Sequence, residues 1–336
     1  MDAKLFEEAA SRARSYVTTG HLPCALLAVA NRKRILFQRA FGAGGEEEPL
    51  LWECAFPLAS ITKSIVAVAI ARLVERGTLD YTDPVARHLP EFVTAPWRER
   101  ITLGDIFTHS TGLACISFTD FVERGESGEE GYNSLFAPDP VYEPGTRYQY
   151  ATLTYQLLNA VIRRRLGVSM SRFLQENLYS ACGMTHTAFN PVEPARAMPA
   201  VDHPADTPER LRRFGDLEPS GAGLWSTAPD LIRLAQALLT PGKLLTPEVY
   251  RRHTELRPSL PAVGGDGVSR RTWGWNREIR PEFTRQPESG FFHGGATGTL
   301  LWIDPDADLI FVFLTNRWGS GNEHCFITLD ALYGAA

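Results

Sequence analysis

The segment at residues 60–76 constrains the fold more than any other part of the sequence. Apolar side chains dominate it from Ile61 to Val74, and Gly77 follows shortly afterwards. A helix that is apolar on nearly all sides has to be buried, and a glycine just past the last turn is a common helix end. The sequence therefore predicts a central helix that other parts of the chain surround.

Predicted strands lie towards both ends of the chain. Apolar, β-prone runs at 25–30 and 35–41 flank a polar tetrapeptide, which predicts a hairpin. Later runs predict further strands at 271–278, 290–293, 298–303 and 309–315. Helical spacing of apolar residues is found at 2–17, 103–107, 153–166, 170–178, 228–239 and 323–333.

The order of these elements predicts an α/β (α+β) fold. In it, an antiparallel sheet is flanked by helices and carries an all-helical subdomain inserted between its early and late strands. We expect a single domain over residues 1–336, because no linker or repeat divides the chain. Its sheet-and-helix subdomain would comprise about 1–77 and 261–336, and its helical subdomain about 78–260.

The composition disfavours several classes of partner. The net charge is only −5, and the sequence shows neither a basic footprint for nucleic acid nor a polybasic membrane patch. No apolar run approaches the length of a membrane span. We therefore expect neither nucleic acid nor a membrane as a partner. The sequence leaves the oligomeric state open.

The N-terminus and the cysteines predict a cytoplasmic protein. Residues 1–8 are polar and acidic, unlike a signal peptide. The cysteines are widely spaced and lack the spacing of metal ligands; they are Cys24, Cys54, Cys115, Cys182 and Cys325. Thiols set among apolar residues in this way are typical of a reducing compartment.

Ser60 and Lys63 are the first candidates for chemistry. They lie three residues apart at the start of the buried helix, and therefore on the same helix face. Burial disfavours a charged lysine, and a neutral amine beside a hydroxyl can take its proton. The helix N-terminus adds partial positive charge where an oxyanion could form. The same pattern also fits a serine that caps the helix and a lysine that reaches solvent.

Two other segments are candidates. Tyr150 and Thr152 follow a turn and precede a predicted helix, a place from which a side chain can reach a pocket or simply pack. His293 is followed by Gly294 and Gly295 within a predicted strand. Glycines weaken a strand unless something approaches the backbone closely. A ligand along the strand edge and a bulge or tight turn both remain open.

Together the three segments resemble the motifs of the β-lactamase-related serine hydrolases. The family includes class C β-lactamases, DD-peptidases, D-aminopeptidases, family VIII esterases and related acyltransferases. Ser60-Ile61-Thr62-Lys63, Tyr150-Ala151-Thr152 and His293-Gly294-Gly295 come in the family's order and approximate separation. The segments between and around them are also similar to the family, at 73–80, 82–85, 89–92, 101–103, 108–113, 143–146, 223–227 and 314–316.

The resemblance implies a mechanism and a set of site residues. Ser60 would attack an acyl carbonyl and form an acyl-enzyme, while Lys63 and Tyr150 would share the general-base and general-acid work. The backbone N–H groups of Ser60 and Ala296 would form the oxyanion hole. The substrate-binding residues would be Thr152, His293, Gly294, Gly295 and Ala296. The family uses no metal, and no cofactor is expected.

Two departures from the family bear on the substrate. Tyr-x-Asn is usual where this chain has Tyr150-Ala151-Thr152, and true β-lactamases have Lys-Thr-Gly in place of His293-Gly294-Gly295. Both changes weaken recognition of a β-lactam carboxylate. We therefore expect an esterase or amidase that acts on a small acyl substrate. The alternatives are a β-lactamase or D-amino-acid peptidase, and a non-catalytic binding or sensor protein. The intact Ser60, Lys63 and Tyr150 count against the last.

Overall fold

A five-stranded antiparallel sheet forms the centre of the computed structural model, which describes residues 3–124, 132–137, 139–202, 207–278 and 285–334. The strands are β1 (Ala25–Ala30), β2 (Ile35–Phe41), β5 (Phe291–Gly294), β6 (Leu300–Asp304) and β7 (Leu309–Leu314). Their order across the sheet is β2-β1-β7-β6-β5. The predicted hairpin is confirmed, and the late strands join the early ones through β1 and β7.

Strand β1 is buried on both faces, as its continuous apolar sequence requires. Alternate side chains point to opposite faces of a strand. Leu26 and Ala28 accordingly belong to one hydrophobic core, and Leu27 and Val29 to another. The second core is closed by helices α1 (Ala3–Thr18) and α12 (Glu323–Leu332), which pack against each other on that face.

Helix α2 (Ile61–Glu75) lies in the larger core and is the predicted central helix. Nearly all of its residues are buried, including Thr62, Lys63 and Ser64. The region that follows contributes the helices α3 (Val85–His88), α4 (Leu103–Thr108), α5 (Phe118–Arg124), α6 (Gln156–Leu166), α7 (Met170–Leu174), α8 (Ser180–Cys182), α9 (Pro208–Asp216), α10 (Ala228–Leu239) and α11 (Pro247–Thr254). This agrees with the predicted fold class, while the exact subdomain boundaries stay a prediction.

The predicted strand at 271–278 is wrong. The chain turns there instead, because Thr272 N–H donates to the Trp275 carbonyl at 3.0 Å and Gly274 adopts a φ of +91°. A side chain at Gly274 would lie 2.4 Å from the Ala67 Cβ, so the turn packs directly on helix α2. Only isolated bridges remain, from Asn276 to Arg271 and to Phe292.

One strand pair was not predicted. Strands β3 (Phe56–Pro57) and β4 (Trp225–Ser226) are each two residues long and pair antiparallel. Strand β3 lies just before helix α2 in the chain. Runs this short carry no alternation from which a strand could be recognised. A further difference is a π-helical turn at Gln175–Tyr179, which continues α7 inside the helix predicted at 170–178. No helix in the described ranges is long and apolar enough to cross a membrane.

Candidate active site

Ser60 stands at the start of helix α2, immediately after a strained residue. Ala59 has a φ of +45°, a left-handed conformation that costs a non-glycine residue roughly 1–2 kcal/mol. The turn is held by Ile61 N–H, which donates to the Leu58 carbonyl at 3.2 Å. On the next residue, Thr62 Oγ1 accepts from Leu224 N–H at 3.0 Å. This arrangement places Ser60 on the wall of an open cleft.

Lys63 is fully buried, and its amine contacts three oxygens. Nζ lies 3.1 Å from Ser60 Oγ, 3.3 Å from Thr152 Oγ1 and 2.6 Å from the Gly221 carbonyl. Desolvation by burial, with a smaller contribution from the positive charge of Arg271, holds the pKa of Lys63 well below its ordinary value. Both effects favour the neutral amine.

The partners of Lys63 allow an arrangement in which its lone pair points at Ser60. A neutral amine has two N–H groups and one lone pair. The Gly221 carbonyl can only accept a hydrogen bond, and the Thr152 hydroxyl oxygen accepts a second. The lone pair then faces Ser60 and can accept its hydroxyl proton. Gly221 is a site residue that sequence reasoning missed, since only the folded chain brings it 2.6 Å from Nζ.

Tyr150 completes the cluster. Its hydroxyl donates to Ser60 Oγ at 2.7 Å, and Lys63 Nζ lies 4.8 Å from its ring centre. Although 43% of the residue is exposed, its hydroxyl end lies against Ser60. Burial there raises the pKa of Tyr150 above its ordinary value, against opposing contributions from the Ser60 hydrogen bond and Arg271. The phenol is therefore protonated in the resting site and can donate.

His109 packs against the ring of Tyr150. It is fully enclosed, its ring centre lies 4.3 Å from that of Tyr150, and Ala151 N–H donates to its Nδ1 at 3.3 Å. Nδ1 therefore carries no proton and Nε2 does. Burial, then the charges of Arg271 and Lys63, hold the pKa of His109 well below its ordinary value. The sequence signal for His109 was its place in a segment similar to the family, which assigned it no role.

The cleft beside Ser60 has a volume of about 450 Å³ and a largely apolar wall. Its polar lining residues are Ser60, Gln149, Tyr150 and Thr152. The remaining lining residues are Ala59, Leu113, Ala114, Cys115, Ile116, Ala151, Leu153, Ala222, Ala296 and Trp318. No lining residue in the described part of the chain carries a charge, which suits an uncharged small molecule.

Ser60 and Ala296 both line this cleft, and their backbone N–H groups are the candidate oxyanion donors. Neither N–H donates a hydrogen bond to another described residue, although the Ala296 carbonyl accepts from Gly319 N–H at 2.7 Å. The Ala296 N–H shares its peptide plane with the Gly295 carbonyl, which accepts from Gly298 N–H at 3.0 Å and from Asn322 Nδ2 at 3.1 Å, so that plane is fixed. Free N–H groups on a fixed backbone are the donors that an oxyanion hole requires. In the described ranges, no group of three or more His, Cys, Asp or Glu side chains could hold a metal ion.

A model of the family described as Beta-lactamase matches residues 9–333. The chain belongs to this family. It is 27% identical to Protein Rv1367c of Mycobacterium tuberculosis, over 96% of this chain and 91% of that one. It is 28% identical to the esterase EstB of Burkholderia gladioli, over 64% and 65%. The structure of EstCE1, a hydrolase with promiscuous acyltransferase activity, is 20% identical with a TM-score of 0.80 and covers 98% of both chains.

Membership of the β-lactamase family makes the chain a serine hydrolase. The fold brings the first two of the family's three motifs together, but little of the third. A chain of hydrogen bonds links Tyr150 to Ser60, Ser60 to Lys63, and Lys63 to Thr152. From the third motif, only the following residue, Ala296, lines the cleft.

His293 is turned into the protein rather than into the cleft. It is 2% exposed, and its Nδ1–H donates to the Gly294 carbonyl at 2.8 Å. Nε2 is buried and has no partner among the residues that the structure describes. Burial, followed by the charges of Arg271 and Lys63, holds the pKa of His293 well below its ordinary value. In this β-lactamase-family chain, His293 is thus a neutral, buried side chain of strand β5.

The two glycines of the third motif are approached by the protein itself. A Cβ at Gly294 would lie 2.5 Å from Asn322 Oδ1. One at Gly295 would lie 2.3 Å from both the Leu58 carbonyl and Thr299 Oγ1. Since Leu58 comes two residues before Ser60, Gly295 lets strand β5 end against the turn that carries the nucleophile candidate.

Gly295→Ala is therefore expected to destabilise the protein. The added methyl group meets the backbone of Leu58, which cannot move without displacing Ser60, so we expect a loss of about 1–3 kcal/mol of unfolding free energy. Urea denaturation measures it. Gly267→Ala is the control, because nothing lies within 4 Å of its Cβ position. Equal stability of the two variants would contradict this account of Gly295.

Proposed function

We propose that the chain hydrolyses small, uncharged carboxylic esters through an acyl-enzyme on Ser60. The observation that carries the proposal is the environment of the Ser60 hydroxyl. It accepts from Tyr150 and faces the Lys63 lone pair, at a cleft whose described lining is uncharged. The names of EstB, an esterase, and EstCE1, a hydrolase, support the same chemistry.

Acylation would begin with attack by Ser60 Oγ on the ester carbonyl carbon. Lys63 Nζ takes the hydroxyl proton as the C–O bond forms, and becomes an ammonium. The negative charge that develops on the carbonyl oxygen lies where the free N–H groups of Ser60 and Ala296 can donate. No charged group has to move, because the donors belong to a backbone already held in place.

Collapse of the tetrahedral intermediate then expels the alcohol. Tyr150, protonated and directly bonded to Ser60 Oγ, is placed to give the leaving oxygen a proton. To complete the cycle, the Lys63 ammonium, 4.8 Å from the Tyr150 ring centre, would return its proton to the phenolate and so restore both groups. Water then attacks the acyl-enzyme by the same route in reverse order, and the acid is released. The products, alcohol and acid, account for all atoms of the ester and the water.

The cleft should favour esters over β-lactams and D-peptides, because none of its described residues is a cation that could bind a substrate carboxylate. Those substrates carry a carboxylate beside the scissile amide, and a charge-assisted hydrogen bond to it contributes about 1.5–3 kcal/mol. Among the described residues, no cation lines the cleft, and His293 is neutral and buried. We expect the loss of one or two such contacts to lower kcat/KM by about one to four orders of magnitude.

A rate panel with matched substrates tests the proposal. We expect p-nitrophenyl acetate and butyrate to be hydrolysed well, and nitrocefin and D-amino-acid amides slowly or not at all. The same preparation and pH should be used throughout, with Ser60→Ala as the blank. Faster turnover of nitrocefin than of p-nitrophenyl butyrate would overturn the ester assignment and favour a β-lactamase with an unusual carboxylate anchor.

The cytoplasmic location also stays a prediction.

A further inference from the structure

Arg271 is a buried cation close to the site that the mechanism above does not use. Its side chain is 2% exposed; Tyr148 hydrogen-bonds to the guanidinium, and Nη1 has a further partner, the Oδ1 of Asn276. Nε and Nη2 are buried without one. An arginine guanidinium keeps its proton across the pH range in which enzymes work. No carboxylate in the described ranges forms an ion pair with it, and burying a charge without such a pair is costly, so a function for it is expected.

The turn that carries Arg271 is fixed at two places. On one side, Ser64 Oγ donates to the Gly274 carbonyl at 2.7 Å, which ties the turn to helix α2 one residue after Lys63. On the other, Asn276 exchanges backbone hydrogen bonds with Phe292 at 2.8 and 2.9 Å, next to His293. The turn next to Arg271 is thus held between the helix that carries Lys63 and the strand that leads to Ala296, and the guanidinium is tied to it through Asn276 Oδ1.

We propose that Arg271 is a positioning residue: a fixed cation behind the Ser60–Lys63–Tyr150 cluster that keeps Lys63 neutral and stabilises negative charge on the Tyr150 oxygen during proton transfer. The inference rests on the proposed function, because it assigns Arg271 a part in the proton transfers of that site. Its position does not suit a substrate contact, since Arg271 is buried and does not line the cleft.

The electrostatics of the cluster agree with this role. Burial is the larger cause of the low pKa of Lys63, and Arg271 lowers it further. Burial raises the pKa of Tyr150, and Arg271 lowers it together with the Ser60 hydrogen bond. The other titratable or charged groups acting on this neighbourhood are His109, Tyr148, Tyr155, Glu278 and His293. Burial keeps the two histidines neutral, so they add no competing charge.

The positive charge of Arg271 should shift the pH profile of the enzyme in a defined direction. Activity is lost at low pH as Lys63 is protonated, and at high pH as Tyr150 loses its proton. Removing the Arg271 charge removes a repulsion from the Lys63 ammonium, so the acid limb moves to higher pH. It also removes an attraction for the Tyr150 phenolate, so the alkaline limb moves in the same direction. A purely structural role would lower the rate without moving either limb.

The experiment compares kcat/KM for p-nitrophenyl butyrate against pH in the wild type and four variants. Arg271→Gln removes the charge and Arg271→Lys keeps it. Asn276→Asp leaves the arginine in place but sets a carboxylate of the same shape against Nη1, which offsets its charge. Arg98→Gln is the control, because Arg98 is also buried but bonds to Phe92, Asn133 and Ala137 instead.

We expect both limbs to rise by at least about half a pH unit in Arg271→Gln and in Asn276→Asp, less than the roughly 1–3 units of a directly contacting charge. Arg271→Lys and Arg98→Gln should leave them in place. Unmoved limbs in Asn276→Asp would overturn the proposal even if Arg271→Gln does not fold. If the wild type hydrolyses no ester, the proposed function fails separately. The pH dependence of fluorophosphonate labelling of Ser60 then gives the same comparison.

Discussion

Ser60→Ala is expected to abolish ester hydrolysis, with a loss of at least about four orders of magnitude in kcat/KM. Without the hydroxyl, no acyl-enzyme can form, and Lys63 and Tyr150 retain no group between them to deprotonate. Removal of the nucleophile in other serine hydrolases costs up to about 10⁶-fold in kcat. Steady-state rates with p-nitrophenyl butyrate measure the loss, with enzyme concentration raised until the residual rate is resolved from buffer.

Ser64→Ala is the matched control for this variant. Ser64 lies one turn further along helix α2, is fully buried, and donates to the Gly274 carbonyl. Its removal leaves that carbonyl without a donor and should cost about 1–3 kcal/mol of stability. Because Ser64 does not line the cleft, the chemistry should survive, and any loss through the Arg271 turn that Ser64 anchors should be far smaller than the loss in Ser60→Ala. A loss of activity in Ser64→Ala as large as in Ser60→Ala would mean that Ser60 acts through the stability of the helix.

Lys63→Ala and Tyr150→Phe are each expected to lower kcat by about two to four orders of magnitude, the usual range for general acid–base groups. Both groups contact the same oxygen, Ser60 Oγ, at 3.1 and 2.7 Å. Since each proton taken by one is returned through the other, removing either should disable the transfer. The double variant should therefore be little worse than either single variant, a non-additive result typical of residues that act as a unit.

Tyr155→Phe provides the control for the tyrosine. Tyr155 is buried close to Lys63, with 5.5 Å from Nζ to its ring centre, but its hydroxyl has no partner in the described ranges. Losing that hydroxyl should change kcat little. Additive losses in the Lys63→Ala, Tyr150→Phe double variant would show instead that the two residues act independently. If kcat falls as far in Tyr155→Phe as in Tyr150→Phe, the loss arises from altered packing and not from the Tyr150 hydroxyl.

The parts of the site that the sequence predicted best are those formed by local geometry. Ser60 and Lys63 lie three residues apart on a helix, and that spacing alone places their side chains together. The helix itself was predicted from its continuous apolar character, which requires burial in any fold. Tyr150 came from the family resemblance, because its contact with Ser60 spans 90 positions and leaves no trace in local spacing.

The parts that could not be predicted depend on long-range contacts. The Gly221 carbonyl reaches Lys63 across 158 positions, and nothing local distinguishes this glycine from others. Arg271 lay in a segment whose apolar and aromatic residues predicted a strand. The segment turns instead, because Gly274 packs against helix α2. The glycine-rich motif was left open between a ligand and a turn, and the close approach proves to be that of Leu58 and Asn322.

Covalent trapping tests the central claim most directly. The native protein should be incubated with a fluorophosphonate, its intact mass measured, and the modified peptide sequenced. We expect one adduct, on Ser60, which forms in the wild type and in Ser64→Ala and is absent from Ser60→Ala. An adduct that persists in Ser60→Ala, or that maps to another residue in the wild type, would contradict Ser60 as the nucleophile.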